Sequence, residues 1–167
     1  VASKIPLSIS NKEIQKRNDL RNLDTFTIDP DDAKDFDDAL SVKKLSDGNW
    51  EIGVHIADVS HFVERGGVLD VEAKKRATSV YLVDRVVPML PEIISNEICS
   101  LKPNEDRLCF SVLFKLDNGA NILSYWIGKS IIHSDKRFTY REAQDIIDAE
   151  KGFFSAQLLR LDSFAKT

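Results

Sequence analysis

Between Asp29 and Asp38 the chain places six carboxylates in ten residues, at Asp29, Asp31, Asp32, Asp35, Asp37 and Asp38. They follow directly on the β-prone run Thr25-Phe26-Thr27-Ile28. Like charges held this close repel, by about 1 kcal/mol per pair at ~4 Å in water and about 4 kcal/mol near a protein surface. A bound cation removes that cost. The donors are all carboxylate oxygens, with no Cys or His among them, which suits Mg²⁺ or Mn²⁺ rather than zinc. Sites of this kind act on phosphates. Four converging carboxylates can hold metal ions ~4 Å apart and orient a water for in-line attack on phosphorus. The spacing fits that task at Asp29, Asp35, Asp37 and Asp38, with Phe36 able to anchor the loop in the core.

Other chemistries place aspartates after a strand. A calcium loop of the EF-hand type needs Gly at its sixth position and Glu at its twelfth. Counted from Asp29 these are Lys34 and Leu40, so that pattern fails. Asp29-Pro30-Asp31 imitates the Asp-x-Asp of haloacid-dehalogenase-like phosphatases, but Asp32-Ala33 does not continue it. A solvated acidic turn is the remaining alternative, and the residues alone leave it open.

The elements that must position these carboxylates follow from local pattern. Asn11 to Leu20 suits a short basic helix, and Thr25 to Ile28 a strand. Pro30 disfavours helix at Asp29, so the acidic stretch is a loop. Ala39 to Leu45 and Trp50 to Val59 form a hairpin about Ser46-Asp47-Gly48-Asn49, and Leu108–Leu116 and Asn121–Ile132 form a second about Asp117-Asn118-Gly119. Asp70 is a candidate N-cap for a helix to Ser79. Val80 to Pro91, with two prolines, is irregular or a short strand. Thr139-Tyr140-Arg141-Glu142 is a capping-box pattern, opening a helix that ends near Gly152, and Phe153–Ala165 is a last helix. Two antiparallel hairpins with several helices predict an α+β domain: a mostly antiparallel sheet with helices packed against it. Residues 1–22 read as an N-terminal arm or linker and 23–167 as the domain.

Composition sets the remaining bounds. With 43% hydrophobic residues in 167, the chain can bury one real core. The net charge is −4. Residues 29–38 hold −5 of it, which leaves the rest at +1, so the total neither excludes nor supports RNA. No apolar run has membrane-spanning length and no N-terminal signal segment is visible, so no membrane partner is expected. Cys99 and Cys109 match no metal spacing and read as reduced core thiols, which points to a cytoplasmic location. His55 lies in an apolar strand and reads as a hydrogen-bonded core residue. His61 reads as surface or as support to the site, and His133 carries no signal. Asp58 could support the site or be structural. Lys4, Lys12, Lys16, Arg17 and Arg21 give the arm a positive balance, open either to phosphate or to solvent.

The motif Thr27-Ile28-Asp29-Pro30-x-x-Ala33-x-Asp35-Phe36-Asp37-Asp38-Ala39 resembles the catalytic signature of the ribonuclease II/ribonuclease R exoribonucleases. The resemblance continues in order through Gly53-Val54-His55-Ile56-Ala57-Asp58-Val59-Ser60, Arg76-Ala77-Thr78-Ser79-Val80-Tyr81-Leu82, Val87-Pro88-Met89-Leu90-Pro91 and Cys99-Ser100-Leu101-x-Pro103-Asn104-Glu105. It covers roughly residues 6–150 and is strongest toward the bacterial ribonuclease R type.

The resemblance implies 3′-to-5′ hydrolytic degradation of single-stranded RNA, one nucleotide at a time, releasing nucleoside 5′-monophosphates with Mg²⁺ or Mn²⁺. Asp29, Asp35, Asp37 and Asp38 match the family's four catalytic aspartates. On that match Asp29 and Asp38 ligate metal, Asp37 holds the second metal or the attacking water, and Asp35 supports the geometry. Asp31 and Asp32 fall at variable positions and are expected to be solvated. Tyr81 matches the aromatic clamp on the RNA 3′ end. The family's catalytic domain is about twice as long, so this chain is expected to be its N-terminal half. The second half, with its phosphate-contacting Arg, and the flanking RNA-binding barrel domains would be missing, leaving little activity alone. The alternatives are a non-catalytic RNA-binding relative, a metal-dependent phosphatase on small substrates, and a structural Ca²⁺ module.

Overall fold

The computed structural model describes residues 8–167, so Lys4 lies outside the described residues. A short helix α1 (Asn11–Ile14) is capped by Ser10, whose hydroxyl accepts from the Glu13 N–H. Five strands then build most of the sheet: β1 (Asn18–Asp19), β2 (Thr25–Asp29), β3 (Asp38–Lys44), β4 (Trp50–Ala57) and, after an excursion, β7 (Glu105–Leu116). The excursion holds α2 (Val59–Phe62), α3 (Val68–Arg76), the two-residue strands β5 (Val80–Tyr81) and β6 (Val86–Val87), and a π-helix at Ile93–Ile98. After β7 come β8 (Ile122–Ser134), β9 (Lys136–Thr139), α4 (Tyr140–Ala149) and α5 (Ser155–Ala165).

The seven-stranded sheet runs β1-β8-β7-β4-β3-β2-β9. Its centre is antiparallel, as the hairpins predict, while the outer pairs β1–β8 and β2–β9 are parallel. Side chains alternate between the two faces. On one face, α4 and α5 cover Phe26, Leu40, Val42, Ile52 and Phe138. On the other, Ile94, Ile98 and Leu101 close over Ala39, Ala57, Cys109 and Ile132. The domain is thus α+β, with the acidic segment at one end of the central strands.

Local signals set several boundaries as expected. Gly48 takes φ +85° in the first turn, where Leu45 N–H donates to Asn49 O at 2.8 Å. Thr139 and Glu142 form the reciprocal capping box of α4, Thr139 Oγ1 accepting at 3.0 Å and Glu142 Oε2 at 2.7 Å. Cys99 and Cys109 are free and buried; burial pushes the Cys99 thiol up to about 12 and raises that of Cys109 as well.

Three expectations are corrected. The helix expected over Asn11–Leu20 stops at Ile14, and Asn18 and Asp19 instead pair with Ser130 and Ile131. Arg17 explains the change: its buried guanidinium donates to the carbonyls of Cys109 and Ser130, drawing the chain onto the sheet. Asp70 is not an N-cap. α3 begins after Gly67, and the Asp70 carboxylate accepts from Gly66 N–H and Lys74 Nζ, each at 2.7 Å. The helix also ends at Arg76 rather than Ser79, because Ala77 takes φ +64°.

Candidate active site

Asp29 ends β2 and Asp38 begins β3, so the acidic loop is the connection between neighbouring antiparallel strands. Their pairing covers Thr25 with Ser41 and Phe26 with Leu40, after which the strands part and the loop opens. Groups outside the loop hold its backbone. Arg137, on β9, donates through Nη2 to the Pro30 carbonyl, and its guanidinium lies 5.7 Å from the Phe36 ring centroid. Ser100 Oγ accepts from Phe36 N–H at 3.0 Å and donates to the Lys34 carbonyl at 2.8 Å. Leu101 N–H donates to Phe36 O at 2.8 Å and Ala57 N–H to Asp37 O at 2.9 Å. Phe36 packs against the core as expected.

The carboxylates divide by exposure. Asp29 is buried, Asp35 is half-buried, and Asp37 and Asp38 face solvent, as do Asp31 and Asp32. Burial raises the Asp29 pKa, and Asp38 and Asp35 push it the same way; Thr27 and Arg137 oppose this without cancelling it. Thr27 Oγ1 and Asp29 Oδ2 are themselves buried without a well-formed hydrogen bond. Asp37 is raised by desolvation and then by Asp35, Asp38 and Asp29.

These four carboxylates therefore share one repulsive field, and one buried oxygen in it lacks a donor. In donor type and charge they fit a hard divalent cation. They do not form a finished cage: among the described residues, no three Asp, Glu, His or Cys side chains converge tightly enough to hold an ion by themselves. An open cleft of about 750 Å³ adjoins the loop, lined in part by Ala33, Lys34, Phe36 and Asn96, and none of the four aspartates lines it.

Tyr81, on β5, is 72% exposed. Among the described residues its ring stacks on no other aromatic or cation, so its face is free. It makes no hydrogen bond to the acidic loop in this structure.

The histidines stay out of the site. His55 is fully buried, with Nδ1 2.7 Å from Ser111 Oγ and Nε2 3.0 Å from Ser41 Oγ, and burial lowers its pKa to about 4. His61 is partly exposed, 3.6 Å from Glu13, and His133 bonds Asp106 at 2.8 Å. Asp58 is structural here. Burial alone would raise it, but the Ser60 hydroxyl and the Arg17 guanidinium, 2.7 Å away, hold it below the usual carboxylate range. Arg17 is thus neither open to phosphate nor solvated. Arg21 is engaged too, with Asp19 at 2.6 Å and Asp106 at 3.0 Å.

Sequence reasoning missed the residues that pin the loop. Ser100 stands inside the quoted Cys99-Ser100-Leu101 motif, whereas Arg137 carried no local signal.

The RNB domain family matches residues 17–167. The chain belongs to that family. This RNB chain is 54% identical over 144 residues to the DIS3-like exonuclease 2 of Xenopus tropicalis, covering 86% of the chain and 17% of the relative. It superimposes on Mycoplasma genitalium RNase R in complex with ribose-methylated single-stranded RNA with a TM-score of 0.88 and 33% identity, covering 99% of the chain and 27% of that one. It also matches yeast Ssd1, described as a pseudonuclease, with a TM-score of 0.83 and 25% identity, covering 98% of the chain and 20% of that one. The chain thus spans well under a third of each. No helix among the described residues is long and apolar enough to cross a membrane.

Proposed function

We propose that this RNB chain supplies the metal-holding part of a 3′-to-5′ hydrolytic exoribonuclease that takes the 3′ end of single-stranded RNA and releases nucleoside 5′-monophosphates. The observation that carries the reading is Asp29: a buried carboxylate with an unpartnered oxygen, in the field of Asp35, Asp37 and Asp38. Bound Mg²⁺ or Mn²⁺ would polarise the scissile phosphate and make water a better nucleophile. Asp29 and Asp38, at facing strand ends, would be the holding pair. Asp37 would hold a second ion or orient the attacking water, and Asp35 would support that geometry. Tyr81 stacks on a base, which stabilises binding by about 1–3 kcal/mol without choosing among bases. Because the aspartates form no closed cage among the described residues, this chain alone should have little processive activity. A cytosolic setting fits the two unpaired thiols.

A second reading, a non-catalytic RNA-binding relative, is favoured by the likeness to a pseudonuclease; the presence of all four aspartates weighs against it. Calorimetric titration with Mn²⁺ tests the choice, on this chain and on Asp37→Asn/Asp38→Asn, each with and without a short single-stranded RNA. Binding by the parent that the double variant loses supports the nuclease reading. Equal binding by both, or no Mn²⁺ uptake even with RNA, overturns it.

A further inference from the structure

Four carboxylates that repel one another will spread unless their backbone is held. On either side of Asp35 that holding is done by one atom. Ser100 Oγ donates to the Lys34 carbonyl at 2.8 Å and accepts from the Phe36 N–H at 3.0 Å, so a single hydroxyl spans the peptide units flanking Asp35. Ser100 is 0% exposed. Its own place is fixed. Cys99 and Leu101 on either side are buried in the core, Cys99 N–H closes the π-helix onto Ile94 O at 2.9 Å, and the Ser100 carbonyl accepts from Arg107 Nε at 2.8 Å. π-helical turns are uncommon and concentrate at functional sites; here the turn delivers Ser100 to the loop. The bonds from Leu101 N–H to Phe36 O and from Ala57 N–H to Asp37 O continue the same grip toward Asp37. Those two come from backbone and survive substitution, whereas the grip at Asp35 depends on a side chain. Only a group that donates and accepts at one atom can serve there, which a hydroxyl does and a methyl cannot.

We propose that Ser100 is a positioning residue for the acidic loop, its hydroxyl fixing the backbone on both sides of Asp35 and so aiming the Asp35 and Asp37 carboxylates into the space they share with Asp29 and Asp38. This rests on the metal-site reading above, and its test separates the two. Ser100→Ala and Ser100→Cys are compared with the parent by amide hydrogen exchange of the 30–38 segment without metal, and by Mn²⁺ calorimetry. Loss of both bonds should speed exchange of that segment about tenfold or more and weaken Mn²⁺ binding by about tenfold. Exchange in β4 and β7 should stay unchanged. Ser100→Cys keeps the shape with much weaker bonds and should show a smaller change in the same direction; it carries the test if Ser100→Ala does not fold. The proposal is overturned if the 30–38 segment exchanges as in the parent, or if it loosens only together with the whole sheet. It is equally overturned if Mn²⁺ affinity is unmoved where the parent binds. A parent that takes up no Mn²⁺ even with a short single-stranded RNA present sinks the metal-site reading instead, while faster exchange confined to the loop would still support the clamp.

Discussion

Replacing Asp37 by Asn should make the metal-free domain more stable, an unusual outcome for a residue assigned to the site. The Asp37 carboxylate accepts no hydrogen bond among the described residues, so nothing is lost by neutralising it, while Asp35, Asp38 and Asp29 all press against its charge. Each like-charge pair at ~4 Å costs about 1 kcal/mol in water and about 4 kcal/mol near a protein surface. Asp37 faces solvent and salt screens it, so the lower figure governs. The expected gain is about 1 kcal/mol, or about 2–4 °C in Tm for a chain of this length. The pH dependence has a definite sign. In the folded state the Asp29 and Asp37 carboxyls titrate above their ordinary 3.8, raised first by burial and then by the neighbouring carboxylates. The folded state then binds more protons, and this contribution is present at low pH and lost as pH rises through the raised values. Asp37→Asn should remove part of that loss. Saturating Mn²⁺ should reverse the order: at a hundredfold excess over Kd the parent gains about 2.7 kcal/mol and the variant much less. Differential scanning calorimetry at several pH values, with and without Mn²⁺, measures all of this. A metal-free Tm that falls on substitution, or an Mn²⁺ response equal to the parent's, refutes the reasoning.

Elsewhere the buried polar groups decide the outcome. His55 is held down to about 4 against an ordinary 6.5. Its contribution is therefore intact above pH 6.5 and lost as pH falls toward 4, up to about 3 kcal/mol; urea melts across that range should show the decline, and His55→Asn should abolish it. A Cβ at Gly53 would lie 2.3 Å from Ser41 Oγ and 2.6 Å from His55 Nε2, so Gly53→Ala should cost about 1–3 kcal/mol through overpacking, read as a lower urea midpoint. Arg17→Met would strand Asp58, whose side chain is 2% exposed. That should cost about 3–5 kcal/mol, largely recovered in Arg17→Met/Asp58→Leu, as denaturation of both variants would reveal.

What the sequence made legible was local. Asp47-Gly48 and Asp117-Asn118-Gly119 mark turns whose closing hydrogen bonds lie within four residues, and the Thr139–Glu142 capping box is likewise self-contained. Asp117 shows why: its Oδ1 accepts from Gly119 and Asn121 N–H, each at 2.9 Å, with no distant partner needed. What stayed hidden depends on distant residues. β9 is four residues long and exists because β2 lies beside it. Arg17 reads as surface charge until the carbonyls of Cys109 and Ser130 are placed around it. Spacing and resemblance single out the acids of the proposed site, but not that they stand apart without a closed cage, nor that Ser100 and Arg137 grip their loop.

The parallel pairing of β2 with β9 sets a timetable for biosynthesis. Asp29 lies beside Thr139, 110 positions later, so the strand carrying the first aspartate has an open edge until the chain has been made past residue 139. At about 5–20 residues per second the ribosome needs roughly 5–20 s to cover that interval. Throughout it Arg137 is also missing from the loop. The nascent polypeptide therefore passes its acidic residues out of the ribosome well before the scaffold that arranges them is complete, and assembly of the site is deferred until the chain has moved well beyond it.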